Sequence, residues 1–469
     1  MDLSPSLITE LGSNSMPGAV SEVVRTAAPV KSAVTFLPAR LHGLDTLRGL
    51  AAVLVVLLHA GIPYMLCPFP YLVWPARDAN PCSIVDAITW CSECFIMPVF
   101  FVLGGFFSAG MLANRSDREF IAGRTMRLFV TSFAAGITVL PACLCIWALG
   151  WMADGLYVPD GLFLLGIPPE LEAELYGVAH IWFLQNLYLY CLGLCFVRWL
   201  SFRYSHQIRN GLRMLSLDEA SDRLRREGDG LPDSQLDEVA RLGWWDRWLV
   251  SFWKPVLLAA PCALILYWDT RIVLGFYQSF IPVLSKLVYY SVYFTAGVLL
   301  DRHRSLLSLH ARFGLRYLIL AGILFMTMLP LIHEHTIAEL SGARRALLVT
   351  QLALFAALVT FGLIGIFLKF NRRGFASTCY LAEASYWVYL VHLPFVTLTQ
   401  VAIAPLPIPA VAKFAMVGAT AMAISLLTYH VFVRETCIGV LLNGCRRTKK
   451  TEPVIAAPAQ TAPLVACSV

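Results

Sequence analysis

Charge is what this sequence has least of: Asp, Glu, Lys and Arg make up only 14% of its 469 residues, against roughly 25% in soluble chains. With 58% hydrophobic residues and a mean hydropathy of +0.68, too little polar surface remains to cover a water-soluble particle of this size. Soluble enzymes, disordered scaffolds and nucleic-acid-binding modules are excluded on that ground. Also missing are internal repeats and mirrored pairs of interrupted hydrophobic segments, a mark of many transporters. Cys91 and Cys94 have metal-like spacing, yet no second pair matches them, so no metal site is expected. Most other cysteines fall in apolar runs, where the thiol acts as a small hydrophobe. Cys67 and Cys82 share one loop and would pair only in an oxidising compartment.

What is present is a series of apolar runs long enough to cross a bilayer. They lie at 44–64, 86–112, 120–149, 180–200, 254–270, 283–300, 314–333, 346–368, 377–401 and 409–433. The fold expected is all-α, a polytopic helical bundle of about ten transmembrane helices in contact with membrane lipid. Threading the chain with its N-terminus inside puts 27 Lys and Arg on inner segments and 6 on outer ones. That asymmetry orients the chain, and an even number of spans makes both termini cytoplasmic. Residues 1–40 read as a disordered cytoplasmic tail, 41–435 as the transmembrane domain with a long cytoplasmic loop at 201–250, and 436–469 as a second tail. The first apolar run begins after residue 40 and is long enough to span, so an anchor is expected rather than a cleaved leader.

Ionisable residues inside spans are costly and become functional candidates. Those most central to the argument are Arg48 and His59 on the first span, Glu93 on the second, His180 at the start of the fourth and His392 on the ninth. Arg48 and His59 are eleven residues apart, which on a helix is about 16 Å and three turns, nearly the same face. Threading puts His59, Glu93, His180 and His392 in one depth range, without settling whether they share a pocket. A histidine with a nearby carboxylate is a competent general base towards a hydroxyl. His59 is the candidate base, oriented by Glu93 or another carboxylate. Arg48, Arg124 and Arg127, on the cytoplasmic side, suit the phosphates of a nucleotide-like donor such as acyl-CoA. His180 and His392 would line the acceptor side. A buried histidine also occurs as a hydrogen-bonded core residue, and Arg48 also serves as an anchor at a helix end; both roles are compatible with the functional ones.

The run Leu44-Asp45-Thr46-Leu47-Arg48-Gly49-Leu50-Ala51-Ala52, ending in His59, resembles the opening span of the acyltransferase 3 family, including its Arg-x10-His spacing. Met97 to Phe106 is similar to the family's Phe-Phe-x-x-Ser-Gly segment, with Gly104 where serine is usual. His180-Ile181-Trp182-Phe183-Leu184 and Ala384 to Pro394 resemble segments of the glucan-modifying branch, which includes the succinyltransferase of osmoregulated periplasmic glucans. The resemblance implies a multi-pass enzyme of the bacterial inner membrane that moves an acyl group, succinyl or acetyl, from cytoplasmic acyl-CoA to hydroxyls of an extracytoplasmic glycan. It implies His59 as the catalytic histidine, Arg48 as its partner in donor handling, and no cofactor beyond the co-substrate. No outer loop is large enough for an added esterase-like domain, so transfer is completed within the bundle or by a partner, and homo-oligomers or glycan-synthesis partners fit this picture. The rival expectation is a transporter or exporter of glycans or small anions that uses the same residues as a proton relay.

Overall fold

The computed structural model describes residues 41–157, 171, 177–208, 251–277, 279–371 and 375–443. The tail at 1–40, nearly all of the loop at 201–250 and the end of the chain beyond 443 lie outside the described residues, as do Arg372 and Arg373. Among the described residues every long element is a helix and none is a strand. In chain order they are α1 (His42–Gly61), α2 (Ser83–Ala113), α3 (Asp117–Arg124), α4 (Thr131–Ala153), α5 (Trp182–Ile208), α6 (Lys254–Trp268), α7 (Leu284–Arg302), α8 (Gly314–Ile337), α9 (Gly342–Phe370), α10 (Ala376–Ile403), α11 (Ala410–Thr428) and α12 (Cys437–Asn443). The last is a short helix within the stretch expected to be a tail.

All ten apolar runs are helical, and among the described residues eight helices are long and apolar enough to cross a membrane. The other two fall short for different reasons. α6 has 15 residues, a rise of about 22 Å against the ~30 Å hydrocarbon core. α7 has 19 residues but carries Lys286, Asp301 and Arg302. α3 starts at a capping box, in which Ser116 and Glu119 bond each other's backbone N–H groups, and it runs into α4 through a π-helical stretch at Thr125–Val130. Such bulges are common beside functional sites.

The interior is built around α1, which packs against α2, α9 and α10, with α2 also against α9. In α2 and α9, 72% of the most apolar window is buried, against 22% in α8 and in the α3–α4 segment. α8 turns Leu315, Ile319, Ile323 and Met326 outwards, a stripe at helical spacing that suits lipid. Between helices, where lipid is as apolar as leucine, close approach comes from small residues. A Cβ on Gly105 of α2 would lie 2.0 Å from the Phe294 carbonyl oxygen, and one on Gly297 of α7 would lie 1.9 Å from that of Val102. The two glycines therefore admit each other's backbone. Gly104 differs, since its Cβ would meet only the Leu187 side chain, at 2.8 Å.

Residues 65–82 leave α1 and wrap back over the bundle before α2. Asp78 N–H donates to the Pro63 carbonyl at 3.0 Å and Cys82 N–H to that of Tyr64 at 2.9 Å, so the segment closes on its own start. Lys413 of α11 binds Asp78 at 2.7 Å with both side chains buried. Trp151 of α4 donates to the Val73 carbonyl at 3.3 Å. Gly150 admits the same segment, because a Cβ there would stand 2.1 Å from the Pro75 carbonyl oxygen. Cys67 and Cys82 are free thiols; burial, together with the nearby Asp86 carboxylate, holds the Cys67 thiol above its usual range.

The glycine pair separates two kinds of substitution. Gly297→Leu is expected to force α2 and α7 apart at a cost of roughly 1–3 kcal/mol or more, read as a lower unfolding temperature in detergent. Gly104→Ala, which needs only Leu187 to move, should leave that temperature nearly unchanged.

Candidate functional site

α1 ends with His59 in its last turn, beneath the wrapped segment. The His59 ring meets the Trp74 ring at 6.1 Å between centroids and the His392 ring of α10 at 5.0 Å, and His392 in turn meets His180 at 5.2 Å. Three histidines from three separate stretches of chain thus stand side by side. Backbone carbonyls assign their hydrogens, because a carbonyl oxygen only accepts. His59 Nδ1 is 2.8 Å from the Val55 oxygen, and His392 Nδ1 is 2.8 Å from that of Tyr389. His180 Nε2 is 3.1 Å from the Leu390 oxygen. Those nitrogens carry the N–H, so in the neutral rings His392 Nε2, 3.4 Å from His59 Nδ1, accepts. The lone pair that His59 keeps for other work is on Nε2. Carbonyl bonding of this kind fixes both ring orientation and tautomer.

Ala179 has a positive φ of 44°, an uncommon conformation for a residue with a Cβ, and strain of this type collects at functional sites. The turn it opens delivers His180, whose own carbonyl accepts from the Tyr389 hydroxyl. Gln400 of α10 is almost fully buried and saturated. Its Nε2 donates to the carbonyls of His59 at 2.8 Å and Ala60 at 3.2 Å, and its Oε1 accepts from Trp74 Nε1 at 2.9 Å. One amide thereby joins the last turn of α1 to the wrapped segment.

These groups border a pocket that opens to solvent, lined by His59, Glu93 and His180 together with aromatic rings that include Trp74, Trp147 and Trp182. The pocket's two opposite charges are Glu93 of α2 and Lys286 of α7, whose Nζ stands 3.7 Å above the Trp182 ring. Among the described residues no hydrogen bond or ion pair joins Glu93 to His59; the orientation expected from a carboxylate is supplied instead by the Val55 carbonyl. His392 is fully buried and stands behind His59, His180 and Tyr389, which line the pocket. The three rings do not form a metal site, and among the described residues no cluster of three ligands is placed to hold an ion.

The arginines gather at the other end of α1. Arg48 binds Asp45 at 3.1 Å, donates to the Ala382 carbonyl of α10 at 3.2 Å and lies over the Phe107 ring at 5.5 Å. Arg124 donates to Ser108, the residue after Phe107, at 3.0 Å. Arg127 follows in the π-helical stretch, and its carbonyl accepts from the Tyr386 hydroxyl, one turn beyond Ala382. The side chains of Arg48 and Arg124 therefore converge beside Phe107 and Ser108 of α2, and the backbone of Arg127 lies against Tyr386 of α10, while His59, Glu93 and His180 meet at the opposite end. Trp74, Trp147, Lys286 and Gln400 are the members that the survey of ionisable residues in apolar runs did not select as site residues. Two of them carried a readable signal: Lys286, a cation inside the run at 283–300, and Gln400, an amide inside the run at 377–401.

Residues 41–430 match the family model described as an acyltransferase domain. No curated protein and no solved structure matches the chain.

The Gln400 bridge makes a prediction that needs no substrate. Gln400→Leu and Trp74→Phe, which keeps a ring but loses the N–H, break the same bond. Their destabilisations should be non-additive by about 1 kcal/mol in a double-mutant cycle of unfolding in detergent. Simple additivity would mean that the two residues act independently.

Proposed function

The chain belongs to this acyltransferase family, and from that premise we propose that it carries an acyl group, succinyl or acetyl, from acyl-CoA to a hydroxyl of a glycan outside the membrane. The observation that carries the reading is His59: its Nδ1 is committed to the Val55 carbonyl and its ring borders an aromatic-lined pocket, leaving Nε2 as the base. The acceptor oxygen attacks the thioester carbonyl carbon while its proton passes to His59 Nε2. Collapse of the tetrahedral intermediate breaks the C–S bond, and the proton leaves with the thiolate of CoA. Glu93, on the same pocket, offsets the positive charge that His59 carries between the two steps.

Arg48, Arg124 and Arg127 suit the phosphates of the donor, since guanidinium binds phosphate in a fixed two-point geometry. The 27-to-6 distribution of Lys and Arg supports a reading in which their end of α1 faces the cytoplasm, where acyl-CoA is made, and the histidine end faces outwards from a bacterial inner membrane. Aromatic rings around the pocket suit the apolar faces of sugar rings.

His59→Ala is expected to abolish acyl transfer while the protein still accumulates in the membrane; near-full activity would overturn the mechanism. For Arg48→Ala the Michaelis constant for acyl-CoA should rise about 10-fold or more, as expected for loss of a charged hydrogen bond. An unchanged constant would remove Arg48 from the donor site.

A further inference from the structure

Two lining residues of the pocket carry a polar atom that the fold leaves unsatisfied. His180 is 7% exposed and Trp147 is 3% exposed. Among the described residues, His180 Nδ1 and Trp147 Nε1 are buried and have no hydrogen-bond partner. Buried polar atoms are normally paired, and each exception calls for an explanation. These two are complementary. His180 donates through Nε2 to the Leu390 carbonyl, so its Nδ1 is an acceptor; an indole N–H only donates. α4, which bears Trp147, packs against the turn that bears His180. The Trp147 ring also contacts the Trp74 ring at 5.1 Å, next to His59. The free acceptor and the free donor therefore flank the same pocket as the free Nε2 of His59.

We propose that this pair is a second hydroxyl subsite, so that the acceptor is held at two neighbouring hydroxyls and belongs to the class of diols found on sugar rings. One hydroxyl faces His59 Nε2 and reacts. Its neighbour donates to His180 Nδ1, and Trp147 Nε1 donates to an oxygen of the same molecule. A lone alcohol satisfies the base and leaves His180 unpaired. The diol satisfies both, and a site built to bond a substrate hydroxyl rejects an analogue that lacks it. Recognition of this kind also sets position on the sugar, because only a hydroxyl with a correctly placed neighbour reaches His59 while the other is bound. The assignment rests on the acyl transfer proposed above for its reacting hydroxyl, but binding at His180 is measurable without any donor.

The test uses the full chain in lipid nanodiscs, with methyl glucoside and its deoxy analogues, each lacking one hydroxyl, as probes and tryptophan fluorescence as the readout. In the wild type, one analogue lacking a hydroxyl beside the reacting one should bind about 10-fold or more weaker than the parent. That gap should vanish in His180→Leu. It should persist in His180→Gln, whose amide can donate to Leu390 and accept through Oε1. Equal affinity for all analogues, no binding of any of them, or a gap unchanged in His180→Leu would each overturn the proposal. Should His180→Leu fail to fold, Trp147→Phe, which keeps a ring and loses the N–H, must narrow the same gap, and an unaltered gap there counts against the subsite. Acyl-CoA turnover is measured separately: discrimination among the sugars without any acyl transfer would refute the enzymatic reading and leave the subsite standing.

Discussion

A hydrogen bond inside a single helical turn, from His59 Nδ1 to the Val55 carbonyl at 2.8 Å, governs the chemistry of the whole pocket. It fixes the ring against the helix that bears it, decides which nitrogen carries the proton and leaves the lone pair on the other. The surrounding polar contacts are consistent with that one choice. His392 takes its hydrogen to the Tyr389 carbonyl and so presents an acceptor towards His59, and Gln400 holds the carbonyls of His59 and Ala60. In a membrane interior, where unpaired polar groups are costly, these bonds hold the network in place and leave the Nε2 lone pair of His59 unspent.

The outer boundary of the site is made by a segment with no helical periodicity. Residues 65–82 are held down by a buried ion pair, a tryptophan N–H and the gap that Gly150 leaves for Pro75. They place Trp74 against His59 and exclude water from one side of the ring. At the opposite end Arg48 and Arg124 rely on short-range contacts, and their partners are a carboxylate, an aromatic ring, a hydroxyl and a carbonyl. The two ends therefore differ in kind: one is a tight hydrogen-bonded pocket, the other a set of cations beside a π-helical stretch.

Much of this was legible in the sequence. Apolar runs marked the long helices, with ends displaced by up to eight residues, as at Ile208 against 200, since a span must be apolar along its length, and scarcity of charge singled out His59, Glu93, His180, Arg48 and Arg124. The number of spans was less legible, because α6 is short and α7 is polar at both ends. Trp74 was hidden, because its position depends on contacts from residues 65–82 to Lys413 and Trp151, far along the chain. Gln400 escaped because it bears no charge. The orienting partner of His59 escaped for another reason: a carbonyl four residues earlier is a backbone group, present in every sequence, and only geometry shows that it is used.

α1 alone carries both Arg48 and His59, so it is a ruler between the two ends of the site. One inserted residue between them would lengthen the gap by about 1.5 Å and swing His59 round the helix by about 100°, away from His392 and Gln400 on α10 and out of register with the wrapped segment. Amino-acid changes along that stretch can be absorbed by repacking; changes in its length cannot.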